Sequence, residues 1–183
     1  CQTGHYLIEH VYRAASQSRL ARQVIVATDD RRIYEAVREF GGEVEMTAAD
    51  HQSGTDRMAE VAGRIAGDIF VNVQGDEPEI SPPAIDQLIT TLNQNEQAEV
   101  ATLVTPISEQ EAQDPNLVKV VTDKENLALY FSRQTIPHFR DEKASVKKSY
   151  LQHIGLYAYK TNILKELTEL PPSPLEIAES LEQ

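Results

Sequence analysis

The sequence predicts an α/β fold, a three-layer sandwich built on a mixed but mainly parallel β-sheet. Helical patterns alternate with short strand-like runs along the first half of the chain, and this alternation is typical of right-handed βαβ crossovers. Two of the runs, 24–28 and 69–74, are almost continuously apolar. Such runs are expected of parallel strands that helices cover on both faces.

Four segments of the first half place apolar residues at i, i+3 or i+4, and i+7, which is the pattern of an amphipathic helix. These helices are predicted from Leu7, Ile33, Met58 and Ile85 onward. Strands are predicted between and after them, at 24–28, 43–46, 69–74 and 100–105.

The pattern changes after Pro106. Residues 118–122 and 127–131 flank a polar turn and predict a hairpin, 133–149 is polar and irregular, and 150–159 predicts a strand. A helix is predicted at 160–170, and Ser173 followed by Pro174 predicts the start of another. The simplest organisation is one domain over residues 1–183, with a hairpin and irregular elaboration at about 115–150.

Composition excludes several classes of protein. A net charge of −12 without a basic patch argues against a nucleic-acid partner, and no apolar stretch approaches the roughly 20 residues that cross a membrane. The single cysteine, Cys1, excludes an internal disulfide framework and fits a reducing cytoplasm. Because the chain starts at Cys1 and both ends read as helices, we expect a fragment of a longer protein.

The run Gly75-Asp-Glu-Pro78 follows directly on the apolar strand at 69–74. Ligands of open α/β sheets bind where strands end at their carboxyl edge, and carboxylates there suit Mg²⁺ that is shared with substrate phosphates. Asp76 and Glu77 therefore indicate a metal-assisted nucleotide site, and Gln74 can offer a ligand both donor and acceptor. A solvated turn remains the alternative.

A second candidate is the polar loop 50–57, which leads into a helix. The N-terminus of a helix favours anions, Gly54 admits a ligand close to the main chain, and Arg57 could form a bidentate pair with a carboxylate or phosphate. An ordinary helix cap between Ser53 and Asp56 explains the same residues, so both interpretations stay open.

A third candidate is the predicted strand 150–159, on which His153 and Tyr157 share one face. A half-buried aromatic strand is the alternative there, and Arg133 at another strand end could be a surface arginine. The sequence carries no Gly-x-Ser-x-Gly elbow, zinc-ligand spacing or Walker loop.

Together these segments resemble the 3-deoxy-manno-octulosonate (Kdo) cytidylyltransferases. The resemblance covers nearly the whole chain and is carried by Val24-Ile-Val-Ala-Thr-Asp29, Met46-Thr-x-x-Asp-His-Gln-Ser-Gly-Thr-Asp-Arg57, Val71-Asn-Val-Gln-Gly-Asp-Glu-Pro78, Asp114-Pro-Asn-x-Val-Lys-Val-Val121, Ala128-Leu-Tyr-Phe-Ser-Arg133, His153-Ile-Gly-Leu-Tyr157 and Leu181-Glu-Gln183.

The resemblance implies a Rossmann-like fold of the nucleotide-diphospho-sugar transferase type. It implies transfer of CMP from CTP to Kdo with Mg²⁺, for lipopolysaccharide synthesis, by a bacterial, cytoplasmic enzyme that is typically a homodimer. Asp76 would bind the metal, and Asp76 and Arg57 would be catalytic. The substrate-binding residues would be Gln74, Ser53, Gly54, Arg57, His153, Tyr157, Glu182 and Gln183.

Other functions remain open at this point: a related cytidylyltransferase acting on sialic acid or an amino-substituted Kdo, or a non-catalytic nucleotide-binding module. The family's N-terminal loop, with an arginine and a Leu-x-Gly-Lys-Pro-Leu run, and its second metal-binding aspartate are expected outside this chain. We therefore expect the 183-residue fragment to fold at least partly and to lack activity on its own.

Overall fold

The computed structural model describes residues 4–51, 53–140 and 148–181 and has an α/β fold. Two compact units make up the chain: the first comprises Cys1–Ala101 and Leu156–Leu170, and the second comprises Thr102–Gly155 and Pro171–Gln183. The prediction of one domain with an elaboration at about 115–150 stays a prediction. The second unit contains that elaboration.

The first unit confirms the predicted alternation of helices and strands. Its helices and short strands in chain order are α1 (Leu7–Ala15), β1 (Ile25–Thr28), α2 (Arg31–Glu39), β2 (Glu43–Met46), α3 (Gly54–Ala62), β3 (Ile69–Asn72), α4 (Pro82–Gln94) and, after the first segment of the second unit, α5 (Thr161–Glu169). The core includes the buried side chains of Met58, Tyr159 and Leu164, against which Phe70 packs.

The second unit contains the predicted hairpin, formed by β5 (Lys119–Thr122) and β6 (Ala128–Ser132). A short 3₁₀ helix, Glu111–Gln113, precedes it, and α6 (Pro174–Glu179) follows later in the chain. Ser173 caps α6 and Pro174 opens it, as predicted. Two longer strands, β4 (Val100–Ile107) and β7 (Tyr150–Lys160), contribute residues to both units.

Strand direction differs from the prediction. Strands β1 and β2 are parallel, with Ile25 opposite Glu43. Strand β3 is antiparallel to β7, with Asn72 opposite Tyr157, and β5 is antiparallel to both β6 and β7.

A mainly parallel sheet is therefore not confirmed. In the larger sheet, among the described residues, the strand pairs β3–β7, β5–β6 and β5–β7 are antiparallel. An apolar run such as Ile69–Asn72 reports that a strand is covered on its faces. It does not report the direction of the neighbouring strand.

Candidate functional site

The carboxyl end of β3 and the N-terminus of α3 lie side by side in the first unit. A Cβ atom placed on Gly54 would lie 3.3 Å from Nδ2 of Asn72 and 3.9 Å from Nε2 of Gln74. The structure thus brings together the two segments that the sequence singled out separately. The absence of a side chain at Gly54 keeps the start of the helix accessible beside the strand end.

A capping box organises the first turn of α3. The hydroxyl of Ser53 accepts a 3.1 Å hydrogen bond from the main-chain N–H of Asp56, and the Asp56 carboxylate accepts one of 3.1 Å from the N–H of Ser53. The cap that was an alternative to a ligand site is therefore present. It also holds the first turn in place for any ligand that binds there.

Strand β3 ends earlier than predicted, at Asn72. Ladder pairing stops opposite Tyr157, and the main-chain oxygen of Gln74 accepts a 3.3 Å hydrogen bond from the N–H of Glu77. The chain turns there, so the side chains of Gln74, Asp76 and Glu77 are exposed. Gln74 belongs to this turn and does not end the strand.

Asp76 contributes a single carboxylate at this turn. No group of three or more His, Cys, Asp or Glu side chains among the described residues could hold a metal ion. Mg²⁺ is commonly bound by one or two carboxylates, with the remaining ligands supplied by substrate phosphates and water. The exposed oxygen donors of Asp76 fit that mode of binding.

Arg57 connects α3 to the ends of β1 and β2. Its Nη1 donates to Oγ1 of Thr47 and, over 3.3 Å, to the main-chain oxygen of Ala48. The same atom lies 3.2 Å from Oδ1 of Asp29, which follows β1. The Arg57 side chain is only 20% exposed, so Asp29 offsets part of its charge in a sheltered position. Sequence reasoning missed Asp29 as this partner.

The loop before α3 is anchored by Glu60, which sequence reasoning also missed. The Glu60 carboxylate accepts a 2.9 Å hydrogen bond from the N–H of Ala48 and contacts Nε2 of His51 and the guanidinium of Arg64. The hydrogen bond from His51 is the largest influence that holds the pKa of Glu60 below its usual range, with that from Ala48 next. The i, i+4 spacing of Glu60 and Arg64 could have indicated this ion pair from the sequence.

His153 lies in the second unit and is 9% exposed. Its main-chain N–H donates to the Val118 oxygen over 2.8 Å, and its Nε2 lies 3.0 Å from Oγ1 of Thr102. The ring meets that of Phe131 edge to face at 5.1 Å. Burial lowers the pKa of His153 to about 4, so the imidazole is neutral at pH 7.

Tyr157 lies in the first unit, further along β7. It is half-buried and sits opposite Asn72 of β3, and its ring stacks on that of Tyr159 with centroids 6.0 Å apart. Both interpretations of the strand, as a ligand face and as packed aromatics, are compatible with these contacts.

Arg133 has a defined partner in the second unit and is not a loose surface side chain. Its Nε donates to the main-chain oxygen of Glu179 over 2.7 Å, and its Nη2 donates to that of Ser180 over 3.1 Å. The Glu179 carboxylate accepts from Ser132 Oγ and from the N–H of Arg133. Arg133 thereby holds the C-terminal end of α6. The predicted site residues Glu182 and Gln183 follow that end and lie outside the described residues.

A cavity of about 280 Å³ lies where β1 and β2 begin, at the ends of these strands that are away from Asp29 and Thr47. Ile25, Tyr34 and Glu43 contribute to its lining. None of the predicted site residues that the structure describes lines it. In the part of the chain that the structure describes, no helix has the length and apolar character needed to span a membrane.

Comparison with known proteins gives a consistent result. A family model described as cytidylyltransferase matches residues 3–183. The 3-deoxy-manno-octulosonate cytidylyltransferase of Geobacter sulfurreducens is 48% identical over 98% of this chain and 76% of its own length. That of Escherichia coli is 46% identical over 98% of this chain and 72% of its own.

Solved structures agree with the sequence matches. A CMP:2-keto-3-deoxy-manno-octonic acid synthetase complexed with CTP superposes with a TM-score of 0.92 at 46% identity, covering 97% of this chain and 72% of that one. A cytidylyltransferase from Leptospira borgpetersenii has a TM-score of 0.56 at 14% identity, covering 93% of this chain and 56% of its own, and shares the fold alone.

Proposed function

This chain belongs to the family of 3-deoxy-manno-octulosonate cytidylyltransferases, and on that premise we propose that CTP binds where β3 ends beside α3. The enzyme is a nucleotidyltransferase that transfers CMP from CTP to Kdo and releases pyrophosphate, a step in lipopolysaccharide synthesis. The single observation that carries the proposed location is the approach of Gly54 to Asn72 and Gln74.

The first turn of α3 is suited to an anionic nucleotide. The capping box uses the N–H groups of Ser53 and Asp56, so a phosphate would meet the N–H groups of Gly54 and Thr55 at the positive end of the helix dipole. The Ser53 hydroxyl accepts from Asp56 and still carries a hydrogen that it can donate to a ligand. Gln74, in the turn after β3, would contact the nucleotide from the side that faces α3.

In the reaction a hydroxyl oxygen of Kdo forms a bond with the α-phosphorus of CTP and loses its proton to water. The bond from that phosphorus to the oxygen that bridges to the β-phosphorus breaks, and pyrophosphate leaves. Negative charge develops on the departing pyrophosphate, so positioning and charge neutralisation are the main requirements. Asp76 would hold Mg²⁺, which when bound would neutralise phosphate charge.

Arg57 would bind the carboxylate of Kdo. Its described contacts all use Nη1, whereas a guanidinium carries five N–H donors in a fork that matches a carboxylate. The ion pair with Asp29 would hold the fork in orientation without occupying all of it. His153, Tyr157, Glu182 and Gln183 are proposed as further sugar contacts, on the strength of their match to the family motif.

We also propose that the enzyme is a cytoplasmic homodimer. The single cysteine suits a reducing compartment. Sedimentation equilibrium over a range of concentrations tests the dimer, and cell fractionation tests the location.

The direct test of the proposed site is a structure of the full-length protein with CTP. Nucleotide density beside Gly54 and Gln74 would support the proposal, and density remote from both would contradict it. Pyrophosphate release with Kdo, sialic acid and amino-substituted Kdo in parallel tests the sugar. Faster release with either alternative sugar would reassign the substrate.

A further inference from the structure

The ammonium group of Lys119 lies inside the second unit with all of its hydrogen-bond donors in use. Its Nζ donates to the main-chain oxygens of Asp114 over 2.8 Å, Leu117 over 2.7 Å and Arg133 over 2.5 Å. An ammonium has three N–H donors and no acceptor, and Lys119 is 0% exposed. Lys119 therefore ties the loop before β5 to the residue that follows β6.

The surroundings of Nζ suit the charged form of the lysine. A buried charge is costly unless hydrogen bonds satisfy it, and three acceptors match the three N–H groups of an ammonium, whereas a neutral amine has two. Burial is the largest influence on the pKa of Lys119 and lowers it, and the charge of Arg133 adds to this effect. The carboxylates of Asp114 and Glu179 act in the opposite direction. The side chain is thus a joint between main-chain segments and does not serve as a donor to a substrate.

Arg133 continues this joint to helix α6. Its guanidinium donates to the main-chain oxygens of Glu179 and Ser180 at the end of α6, and over 3.2 Å to that of Pro115 in the loop before β5. Each further residue of a chain adds at most about 3.6 Å of reach. The place of Ser180 therefore limits the reach of Glu182, a proposed sugar contact two residues later.

The strand that carries Lys119 also pairs with the strand that carries a second proposed sugar contact. Lys119 of β5 lies opposite Gln152 of β7, and the main-chain N–H of His153 donates to the oxygen of Val118 over 2.8 Å. On its other side, Lys119 lies opposite Ser132 of β6. Strand β5 thus lies between the strand of His153 and the strand that leads to Arg133.

We propose that Lys119 is a positioning residue for sugar binding, which holds Arg133, and through it the end of α6, in the place from which Glu182 and Gln183 contact Kdo. The sugar part rests on the proposed roles of Glu182 and Gln183, whereas the joint itself does not. The two parts therefore need separate measurements, both on the full-length protein.

Hydrogen exchange followed by mass spectrometry tests the joint. Lys119→Met keeps an unbranched apolar stem and removes the three donors, so amides in 174–181 should exchange faster while those of α2 keep the wild-type rate. Arg133→Gln leaves its own main-chain oxygen to Lys119 and removes the link to Ser180. It should speed exchange in the same segment, and it tests the same path if Lys119→Met prevents folding. An unchanged rate at 174–181 in either folded variant would overturn the joint.

Kinetics test the sugar part. Lys119→Met and Arg133→Gln should each raise KM for Kdo about three- to tenfold, the range that corresponds to one net hydrogen bond, with KM for CTP unchanged. Faster exchange with an unchanged KM for Kdo would overturn the positioning role. Equal increases in both KM values would show a general loss of structure and would also overturn it.

Lys160→Met is the matched control for the loss of a lysine that holds main-chain oxygens. Nζ of Lys160 donates to the oxygens of Asn95 over 3.1 Å and Glu96 over 3.2 Å, just after α4 in the first unit. The variant should lower the melting temperature and leave both KM values unchanged. A rise in KM for Kdo as large as that of Lys119→Met would show that any such loss has this effect, and would overturn the specific role.

A variant that lacks the proposed sugar contacts shows whether Lys119 acts through them. Adding Lys119→Met to Glu182→Ala combined with Gln183→Ala should raise KM for Kdo no further, because residues that act along one path are not additive. A further rise equal to that of Lys119→Met alone would overturn the path. A wild-type KM for Kdo in Glu182→Ala combined with Gln183→Ala would refute these sugar contacts and the sugar part with them, while the exchange rates would still decide the joint.

Discussion

Arg57 combines observed structural contacts with a proposed role in binding the substrate. Its Nη1 contacts Thr47 and the oxygen of Ala48 after β2, and it pairs with Asp29 after β1. A lysine could replace the charge at Nη1 but not the planar fork, whose other N–H donors would serve the substrate carboxylate. The consequences of changing Arg57 therefore depend on geometry as much as on charge.

Arg57→Lys should raise KM for Kdo roughly tenfold or more, because a charge-assisted hydrogen bond contributes about 1.5–3 kcal/mol, and should change KM for CTP much less. Steady-state kinetics of the full-length protein with each substrate varied in turn is the measurement. Arg31→Lys is a matched control, since the Arg31 side chain is 72% exposed and contacts Glu35 and Tyr34 on its own helix. Equal effects of Arg57→Lys on both substrates would count against the proposed role.

Asp76→Asn should abolish turnover while leaving the melting temperature unchanged. The side chain is exposed on a turn, and the amide has the same shape but is a much poorer ligand for Mg²⁺ than a carboxylate. Glu79→Gln, which removes an exposed carboxylate three residues further on, should keep full activity. Near wild-type pyrophosphate release by Asp76→Asn at saturating Mg²⁺ would refute the metal assignment.

His153 should make the free energy of unfolding depend on pH in a defined window. Burial lowers its pKa from 6.5 to about 4, so between these values the unfolded state binds more protons than the folded state. The contribution of His153 to the free energy of unfolding is therefore complete above pH 6.5. It is lost as the pH falls toward 4, by roughly 3 kcal/mol in total. Urea unfolding at several pH values measures the slope.

The matched variant for that measurement is His153→Gln, which cannot titrate and should show a flatter pH dependence between pH 4 and 6.5. Carboxylates whose pKa is lowered in the folded state cause a further loss of stability at lower pH. The pKa of Asp30, for example, is lowered to about 2 by hydrogen bonds from Arg32. A variant that retains the wild-type slope between pH 4 and 6.5 would show that another group is responsible.

At the scale of elements, helix α3 organises the proposed nucleotide site in two ways. Its first turn is capped by Ser53 and Asp56, and one turn further on Glu60 reaches back to the main chain of Ala48 and to His51. The loop before the helix is thus attached to the helix that it precedes. The position of the loop beside β3 should depend on this attachment.

Glu60→Gln should raise KM for CTP and lower the melting temperature modestly. The amide can still accept from Ala48, but it loses the negative charge that attracts Arg64 and that strengthens the contact with Nε2 of His51. Glu166→Gln on α5 is the control, because Glu166 is exposed and lies away from the loop in the sequence. If Glu60→Gln lowers stability and leaves KM for CTP unchanged, the attachment is structural only.

At the scale of the whole molecule, the chain forms two units, and β7 contributes to both. One part of β7 pairs with β3 in the first unit, and the other part pairs with β5 in the second. A single continuous strand therefore takes part in the hydrogen bonding of each unit. If β7 unfolded in one unit, the remaining part of the same strand would lose its ordered continuation.

We therefore expect one cooperative thermal transition. Circular dichroism in the far ultraviolet, which follows secondary structure, and tyrosine signals in the near ultraviolet, which follow packing, should give coincident curves. The seven tyrosines and the absence of tryptophan make the near-ultraviolet signal a tyrosine probe. Two resolved transitions would show that the units unfold independently.

The sequence by itself determined the α/β class, the order and approximate bounds of the elements, the cap at Ser173 and the family. These properties depend on periodicity and on motifs, which neighbouring residues carry together. Even the turn after β3 was visible as Gly75-Asp-Glu-Pro78, although the strand ended two residues earlier than predicted.

Only the tertiary structure decided the antiparallel pairing of β3 with β7, the ion pair of Arg57 with Asp29, and the hydrogen bonds that hold α6 and His153. The partners Arg133 and Glu179 are 46 residues apart in the chain, and Thr102 and His153 are 51 apart. Amphipathic periodicity records which face of an element is covered. It does not record which distant side chain covers that face, because chain topology sets that pairing.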